Sequence, residues 1–504
     1  MSSKKIRQIR KSSFEKDQPQ SKMFKINHEP EIKPPPVLDI KQNGVILNLD
    51  DCCFELILQH LSIDDLKSLS QTCRRLYKVT GQYFQRINSN ERLTIHAYQV
   101  NNQANIELIP ANKKVRNFHR FIRNIKFMSS TQLYGNEPID LFVYLRFNCC
   151  QNLKKLVLSR INCFQSAERY GAFINGQLAT LESIEFDACQ IDDIHNAFLR
   201  HCPHINSLTI KLIDKFHWNA LFNYGLTWTY QRYPNLKHIQ LSYFDAHYLD
   251  IDSFFARNTQ IESVTSSSLD VIKSVCHNQM KLCQLTIQNV DEKFMECISP
   301  KLIKYCEEKC VERMNIGCVA NPLKLSTKQI TILGTLKEFQ GFHFWFNRKN
   351  VLLMTSTLAS IQHLKMLSIQ LLQDKVTLDV LETIAQYVPT LEILHFDSML
   401  GPKSFGGYSF QQIIMPFVRN SMQLMEIAIH CPYFNRTFFQ KTDLIDLIAV
   451  RGNVFNACAF NIYLESNVIH KIQFIIPVNS SLIRIKPISI IDKCSCLSHS
   501  ILYW

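Results

Sequence analysis

Residues 388–396, which read VPTLEILHF, contain the pattern that decides the fold. Pro389 ends a helix, because a proline cannot continue one, and it favours extended backbone beside it. Leu391, Leu394 and Phe396 follow at intervals of three and two residues. In a strand this spacing places the last two side chains on one face. The stretch therefore predicts a helix end, a turn and a short strand with a buried face.

The same spacing of apolar residues recurs along most of the chain, which indicates an internal repeat. The distances between neighbouring copies are mostly within or close to the roughly 20–29 residues typical of leucine-rich repeats. Weaker copies begin at Ile122, Ile261, Val311 and Ile469. The clear copies begin at Leu153, Leu181, Ile205, Leu236, Leu282, Phe339, Leu364, Leu391 and Leu424.

Stacked repeats of this kind predict an α/β solenoid, a leucine-rich-repeat horseshoe or arc with a parallel sheet on its concave face. Each unit contributes a short strand and a helix, and neither buries its apolar side without the neighbouring units. Because side chains alternate along a strand, Leu156 and Leu158 should face the core. Lys155, Val157 and Ser159 should face the concave side.

Two short amphipathic helices are predicted ahead of the repeats, in residues 49–79. Ser62 should begin the second helix, because its hydroxyl can accept a hydrogen bond from a free backbone N–H. Asp64 and Asp65 suit the positive end of that helix dipole. A unit of this size has a small core and should rest on a partner. The apolar residues at helical spacing are Phe54, Ile57, Leu58 and Leu61 in the first helix and Leu66, Leu69, Cys73 and Leu76 in the second.

Residues 49–61 (LDDCCFELILQHL) and 62–77 (SIDDLKSLSQTCRRLY) resemble the two halves of an F-box. The shared features are a leucine before the first helix, a paired apolar step, a D-L-x-x-L step and a late Cys-Arg. Asp50 stands where many family members carry proline, and this departure should loosen the start of the first helix. The resemblance implies docking onto an SKP-type adaptor and through it onto a cullin–RING core. The adaptor-binding residues that it implies are Leu49, Phe54, Ile57, Leu58, Leu61, Leu66, Leu69 and Cys73.

Together with the repeats, the resemblance implies a substrate-recognition subunit of an SCF-type ubiquitin ligase. The repeats would hold a protein target of unknown identity, and the chain itself would be non-catalytic. Two alternatives stay open. One is an F-box scaffold without a degradative role, and the other is a repeat protein that binds RNA through a basic N-terminal arm.

Composition divides the chain into five segments. Residues 1–44 are basic and rich in proline, and they cannot bury enough apolar surface to offset the entropy of ordering, so a disordered arm is predicted. The F-box is assigned to residues 45–90, a connector to 91–118, the leucine-rich repeats to 119–480 and a C-terminal segment to 481–504.

Several classes of protein do not fit this sequence. With only 13 Gly in 504 residues, the chain shows no P-loop or dinucleotide fingerprint, and G-x-S-x-G and H-E-x-x-H are also missing. We therefore expect no enzyme activity and no cofactor. No signal peptide and no apolar run of about 20 residues occurs, so we expect no membrane contact and a cytoplasmic or nuclear location. The 18 Cys should accordingly be reduced thiols.

No metal site is predicted. Cys494, Cys496 and His499 have the spacing of half a zinc site, but the sequence lacks a convincing second half. Cys52 and Cys53 are interpreted as buried helix positions rather than as nucleophiles.

The concave positions of the predicted strands are mixed in charge and do not form a basic stripe with interleaved aromatics. A protein partner is therefore expected there, and nucleic acid is not. Trp345 falls outward if Phe342 and Phe344 face the core, and large aromatic side chains often anchor interfaces. His343 and His395 should lie on the same face, so these two and Trp345 are predicted to contact the target. A register slip of one residue would instead bury Trp345 and turn Phe344 outward.

Overall fold

A computed structural model shows three N-terminal helices followed by one continuous sheet. The predicted arm, the repeat copy at Ile469 and residues 494–499 lie outside the described residues. The residues that the structure describes are 49–87, 92–100, 103–108, 118, 121, 123–129, 153–160, 178–189, 198–211, 227–242, 250–288, 292–318, 334, 336–346, 351–361, 363–371, 376–398, 408–430, 445–447, 449–450, 460–464 and 483–487.

The N-terminal module consists of α1 (Asp51–Leu58), α2 (Ile63–Ser70) and α3 (Arg74–Ile87). α1 begins where the Asp50 carboxylate accepts a hydrogen bond from the Cys53 backbone N–H at 2.7 Å. The expectation that Asp50 loosens this start is therefore wrong, because its side chain caps the helix.

The predicted second helix is in fact two helices. α2 begins as predicted, with a capping box in which the side chains of Ser62 and Asp65 each accept a hydrogen bond from the other's backbone N–H. It ends at Ser70, after which the Thr72 backbone N–H donates to the Leu69 carbonyl at 3.2 Å and closes a turn. The apolar positions after residue 73 therefore belong to α3.

The described strands form a single sheet of sixteen. Most of them pair with the strands that precede and follow them in sequence, as expected for a solenoid. The strands are β1 (Arg92–Val100), β2 (Gln103–Leu108), β3 (Asn124–Ser129), β4 (Lys155–Ser159), β5 (Ser183–Asp187), β6 (Ser207–Lys211), β7 (His238–Ser242), β8 (Ser263–Ser266), β9 (Leu282–Ile287), β10 (Val311–Cys318), β11 (Phe339–Phe346), β12 (Met366–Leu371), β13 (Ile393–Ser398), β14 (Glu426–His430), β15 (Phe460–Leu464) and β16 (Ile483–Pro487).

From β3 onward every adjacent pair is parallel. A parallel pair needs a crossover connection, and helices supply several of these here. Neighbouring helices pack against each other, and their buried residues join those of the sheet in one core. The connecting helices are α4 (Ile251–Arg257), α5 (Leu269–His277), α6 (Glu292–Glu307), α7 (Val351–Ser360), α8 (Leu378–Tyr387) and α9 (Phe410–Asn420).

Backbone hydrogen bonds join one repeat to the next at the residue before a strand. The carbonyl oxygen of Lys154, just before β4, accepts hydrogen bonds from the backbone N–H groups of Glu182 and Ser183, both at 2.9 Å. The Lys365 carbonyl, just before β12, accepts hydrogen bonds from the backbone N–H groups of Glu392, the residue before β13, and Ile393, its first residue, at 2.7 and 2.8 Å. Such a carbonyl is satisfied only when the next repeat is in place, so the repeats stabilise each other.

Leu156 and Leu158 of β4 belong to the hydrophobic core, as predicted. Val157 and Ser159, predicted on the concave side, are also only 2% exposed. In β11, Phe342 and Phe344 belong to the same core and their ring centres are 5.5 Å apart, so the alternative register that turns Phe344 outward is wrong. Strands β3, β8 and β10 lie at the weaker repeat copies that begin at residues 122, 261 and 311.

The sheet extends beyond both predicted limits of the repeats. β1 and β2 fall in the predicted connector, where they form an antiparallel hairpin, and β1 pairs with β3 in parallel. Leu93, Ile95 and Ala97 in β1 stand at every second position rather than at the three-and-two spacing of a repeat, so the spacing did not mark this strand. At the other end, β16 falls in the predicted C-terminal segment and pairs with β15.

Asn258, at the C-terminal end of α4, is fully buried and connects two repeats. Its Oδ1 accepts a hydrogen bond from the Tyr233 backbone N–H at 2.8 Å. Its Nδ2 donates to the carbonyls of Phe254 at 2.9 Å and Gln231 at 3.2 Å. One side chain therefore satisfies backbone groups of its own helix and of the preceding repeat.

We predict that Asn258→Ala lowers the free energy of unfolding by about 1–3 kcal/mol, because it leaves buried backbone groups without partners. The matched control is Asn278→Ala at the same position of α5, where the side chain is partly exposed, bonds to the Ser274 carbonyl of its own helix at 3.0 Å and makes only longer bonds, of 3.4 and 3.5 Å, to Asp252 of α4. Urea unfolding of both variants measures the difference. Equal losses would show that Asn258 does not join the repeats as described.

Candidate functional site

The residues predicted to bind an adaptor fall into three groups by exposure. Those with 0–1% exposure hold the helices of the module together and are not available to a partner. Four more are partly buried against that core. Ile57 is 39% exposed. The buried residues are Phe54, Leu58 and Leu66, and the partly buried ones are Leu49, Leu61, Leu69 and Cys73.

The outer side of α1 is an exposed apolar surface, called here the α1 patch, made of Cys52, Cys53, Leu56 and Ile57. Leu56 is 62% exposed, and both cysteines are also exposed. Residues four apart are neighbours on a helix, so Cys52 lies beside Leu56 and Cys53 beside Ile57. An exposed apolar surface on a small helical module is typical of a docking site.

Two expectations about this helix need correction. The interpretation of Cys52 and Cys53 as buried positions is wrong, because α1 buries only the side that carries Phe54 and Leu58. Leu56 was not predicted as a site residue, although it is the most exposed apolar side chain of the helix. Its spacing of four from Cys52 is the signal that could have shown a second apolar stripe.

The negative charge of Asp50, at the start of α1, keeps the Cys53 thiol of the α1 patch uncharged. Hydrogen bonding from the Cys53 backbone N–H lowers the pKa of the Asp50 carboxyl, which therefore stays ionised. The hydrogen bond to Asp50 and its negative charge raise the pKa of the Cys53 thiol above its usual range. Cys53 is thus a neutral thiol near pH 7, which suits an apolar contact better than nucleophilic chemistry.

Two arginines of α3 hold α1 in place. Arg75 donates a hydrogen bond to the Leu49 carbonyl, and its guanidinium lies 5.6 Å from the centre of the Phe54 ring. Arg86 forms an ion pair with Glu55. These contacts turn the buried side of α1 toward α3 and leave the α1 patch on the outside.

α3 also joins the module to the solenoid. Phe84 stacks on Phe118 with the ring centres 4.7 Å apart. Gly81 faces Phe121 so closely that a Cβ at this position would overlap the phenyl ring. Glycine is required here for close approach rather than for an unusual backbone angle. The joint therefore consists of packed side chains that belong to both parts of the chain.

The predicted target-binding histidines lie in one row of the sheet. His343 of β11 pairs with Ser368 of β12, which pairs with His395 of β13. His343 and His395 are each 4% exposed. The His343 Nδ1 and the Ser368 hydroxyl are 2.7 Å apart, and burial lowers the pKa of His343 to about 4, so this ring is neutral near pH 7. The His395 Nε2 lies 3.2 Å from the Glu426 Oε1.

Trp345 belongs to β11, where its backbone pairs with Gln370 of β12. Its side chain lies outside the described part of the structure. The contact of Trp345 with a target stays a prediction, as do those of His343 and His395, whose rings are covered by their neighbours in the isolated chain.

Among the described residues, no group of three or more His, Cys, Asp or Glu side chains is placed so that it could hold a metal ion. No helix among them is both long enough and apolar enough to span a bilayer.

Comparison with known proteins identifies the N-terminal module. The family model described as "F-box domain" matches residues 46–83, which include α1, α2 and the first turns of α3. No curated protein sequence matches the chain. Among solved structures, the crystal structure of the TLR13-ssRNA13 complex is similar with a TM-score of 0.32 and 12% sequence identity. The match covers 70% of this chain and 44% of that one, so the chain spans less than half of its length.

We predict that Gly81→Ala lowers the free energy of unfolding by about 1–3 kcal/mol, because the added methyl group overpacks the joint. At an exposed position in the middle of a helix, the same change would stabilise the protein by about 1 kcal/mol. The sign of the measured effect therefore shows whether Gly81 is tightly packed. Gln82→Ala, at the exposed neighbouring position, is the control. Phe121→Leu should restore part of the loss in the double variant, and urea unfolding measures this coupling. A stabilising Gly81→Ala would contradict the packed joint.

Proposed function

We propose that this chain, which carries an F-box domain at residues 46–83 and a parallel-strand repeat solenoid behind it, is the substrate-recognition subunit of an SCF-type ubiquitin ligase. F-box domains bind SKP-type adaptors, and through them the cullin–RING core. The observation that carries the proposal is the α1 patch, since the F-box domain exposes Leu56 and Ile57 on the side turned away from its own core. We assign this surface to the adaptor.

The solenoid supplies the second binding surface that a substrate receptor needs. Its strands present a long row of side chains on the face opposite the connecting helices, and such surfaces commonly bind extended partners. We assign the target to this face, as the sequence predicts for Trp345, His343 and His395.

The contribution of the chain to ubiquitin transfer would be proximity alone. Holding a target beside a ubiquitin-loaded conjugating enzyme converts an encounter between separate molecules into a reaction within one complex, which raises the effective concentration. The packed joint at Gly81 supports this role, because it leaves little freedom between the adaptor side and the target side. A cytoplasmic or nuclear location, where SCF ligases act, is part of the proposal.

We predict that the double variant Leu56→Asp, Ile57→Asp binds the SKP-type adaptor at least about tenfold more weakly, because it places two charges in an apolar interface. Leu58 is left unchanged, since it is buried in the module and its replacement would unfold it. The matched control is Met422→Asp, Ile445→Asp, which adds the same charge at exposed apolar positions far along the solenoid. Thermal unfolding checks that both variants fold.

Co-purification with the adaptor and cullin from cells in which the proteasome is blocked provides the measurement. The control should recover both proteins, and the double variant neither. Proteins that bind the solenoid should still co-purify with the double variant but without ubiquitin chains. Full recovery of the adaptor with the double variant would show that the α1 patch is not the adaptor site. Recovery of adaptor without cullin by the unaltered chain would point to a scaffold instead.

A further inference from the structure

A cleft of about 750 Å³ lies where the chain enters strands β5 to β8, and it is called here the rim cleft. Its volume is within the roughly 300–1,000 Å³ typical of ligand sites. Four tight turns form it, one before each strand, and in each turn a backbone N–H donates to the carbonyl three residues earlier at 3.0–3.5 Å. The lining includes Lys154, Glu182, Asn206, Asn235, Lys237 and Glu262.

One wall of the rim cleft, at Pro234 and Asn235, is fixed from the following repeat. The Asn258 Oδ1 accepts a hydrogen bond from the Tyr233 backbone N–H at 2.8 Å. The Gln260 Nε2 donates to the Tyr233 carbonyl. The backbone that leads into this wall is therefore held on both sides of Tyr233. A site whose walls are fixed beforehand loses less conformational entropy when a ligand binds.

Two ion pairs between neighbouring repeats stand at the two ends of the rim cleft. Lys154 pairs with Glu182, and the Lys237 Nζ lies 2.7 Å from the Glu262 Oε1. The hydrogen bond of the second pair raises the pKa of Lys237 and lowers that of Glu262, so both groups are charged near pH 7. The positive and negative charges of these four lining residues are equal in number. A strongly acidic or strongly basic ligand therefore gains no net attraction from them.

The middle of the rim cleft, between the two ion pairs, carries uncommitted polar groups. Within the part of the chain that the structure describes, the side chains of His204, Asn206 and Asn235 make no hydrogen bond. Asn206 is held by its backbone, whose N–H donates to the Glu182 carbonyl at 2.8 Å. A side-chain amide offers both donors and an acceptor, as a peptide group does. Each asparagine can therefore form two hydrogen bonds with one peptide unit of a ligand.

The length of the rim cleft fits an extended chain. Lys154 precedes β4 and Glu262 precedes β8, so the cleft runs across four strand spacings, or about 19 Å. About six residues of extended backbone have this length. The lining contains no Phe, Tyr or Trp on which nucleic-acid bases would stack. A peptide segment therefore suits the cleft better than a nucleic acid does.

We propose that the rim cleft binds an extended, uncharged segment of the target protein through the peptide groups of that segment. The inference rests on the proposed function, because it takes the bound protein to be the target. Asn206 and Asn235 would each pair with one peptide unit, and the His204 imidazole would add a hydrogen bond beside them. Side chains of the segment would lie between the two ion pairs without replacing either of them.

The test begins with the full-length chain and a displayed library of random peptides of about seven residues, slightly longer than the cleft. Peptides that the chain enriches are synthesised with a fluorescent label, and their affinity is measured by anisotropy at an ionic strength of about 0.15 M. The enriched peptides should be poor in Asp, Glu, Lys and Arg. Enrichment of strongly acidic or basic peptides, or of none, would overturn the inference.

N-methylation of the central peptide groups shows whether the backbone carries the contact. This change removes backbone donors and keeps every side chain, so it should weaken binding at least about tenfold. An affinity that is unchanged by N-methylation would contradict recognition through peptide groups.

Amide removal locates the site. Asn206→Ala, Asn235→Ala should weaken binding of the enriched peptides at least about tenfold, because both amides are lost. The matched control is Gln340→Ala, Gln423→Ala, which removes two amides at the same two positions of later repeats and should bind like the unaltered chain. Thermal unfolding checks that both variants fold. Equal affinities in the two variants would refute the assignment to the rim cleft.

Adaptor binding by the same preparations separates this inference from the proposed function. A chain that binds the adaptor but enriches no peptide refutes the rim-cleft site alone. A chain that binds peptides through Asn206 and Asn235 but not the adaptor keeps the peptide site and refutes the ligase role.

Discussion

The contact between Gly81 and the Phe121 ring decides how the two parts of the chain share one core. A module of three short helices buries too little surface to be stable alone. α3 solves this by packing on Phe118 and Phe121 at the start of the solenoid. α1 can then fold by burying one side only, against α3. Its other side, with Leu56 and Ile57, is left exposed, so the joint and the α1 patch have one physical origin.

The solenoid depends on a second constraint, which is that the backbone groups beside many of the described strand starts hydrogen-bond to the neighbouring repeat. This ladder sets the spacing of the strands and therefore of the side chains on them. Charged groups on β3 to β6, hydroxyl, amide and imidazole groups on β7 to β9, and imidazole and carboxyl groups on β11 to β14 lie in succession on one face of the sheet. A target bound there would meet a defined order of chemistry along the sheet.

Much of this architecture could be predicted from the sequence, because the spacing of apolar residues shows directly which positions of each repeat are buried. The strands at Leu156, Phe342 and the other copies were predicted on that basis. Contacts between distant residues leave no such pattern, and for this reason the close approach of Gly81 to Phe121 became visible only in three dimensions. The same limit explains α1, where helical spacing showed its buried stripe but not that Cys52 and Leu56 form an exposed one.

In our proposal, the F-box domain binds its partner through the α1 patch while the solenoid stays available. Hydrogen–deuterium exchange of the full-length chain, measured with and without a purified SKP-type adaptor, tests both parts at once. Bound adaptor should slow exchange in peptides that cover α1 and α2 and leave the backbone of β3 to β9 unchanged. Protection centred on the solenoid strands, with none on α1, would contradict the account.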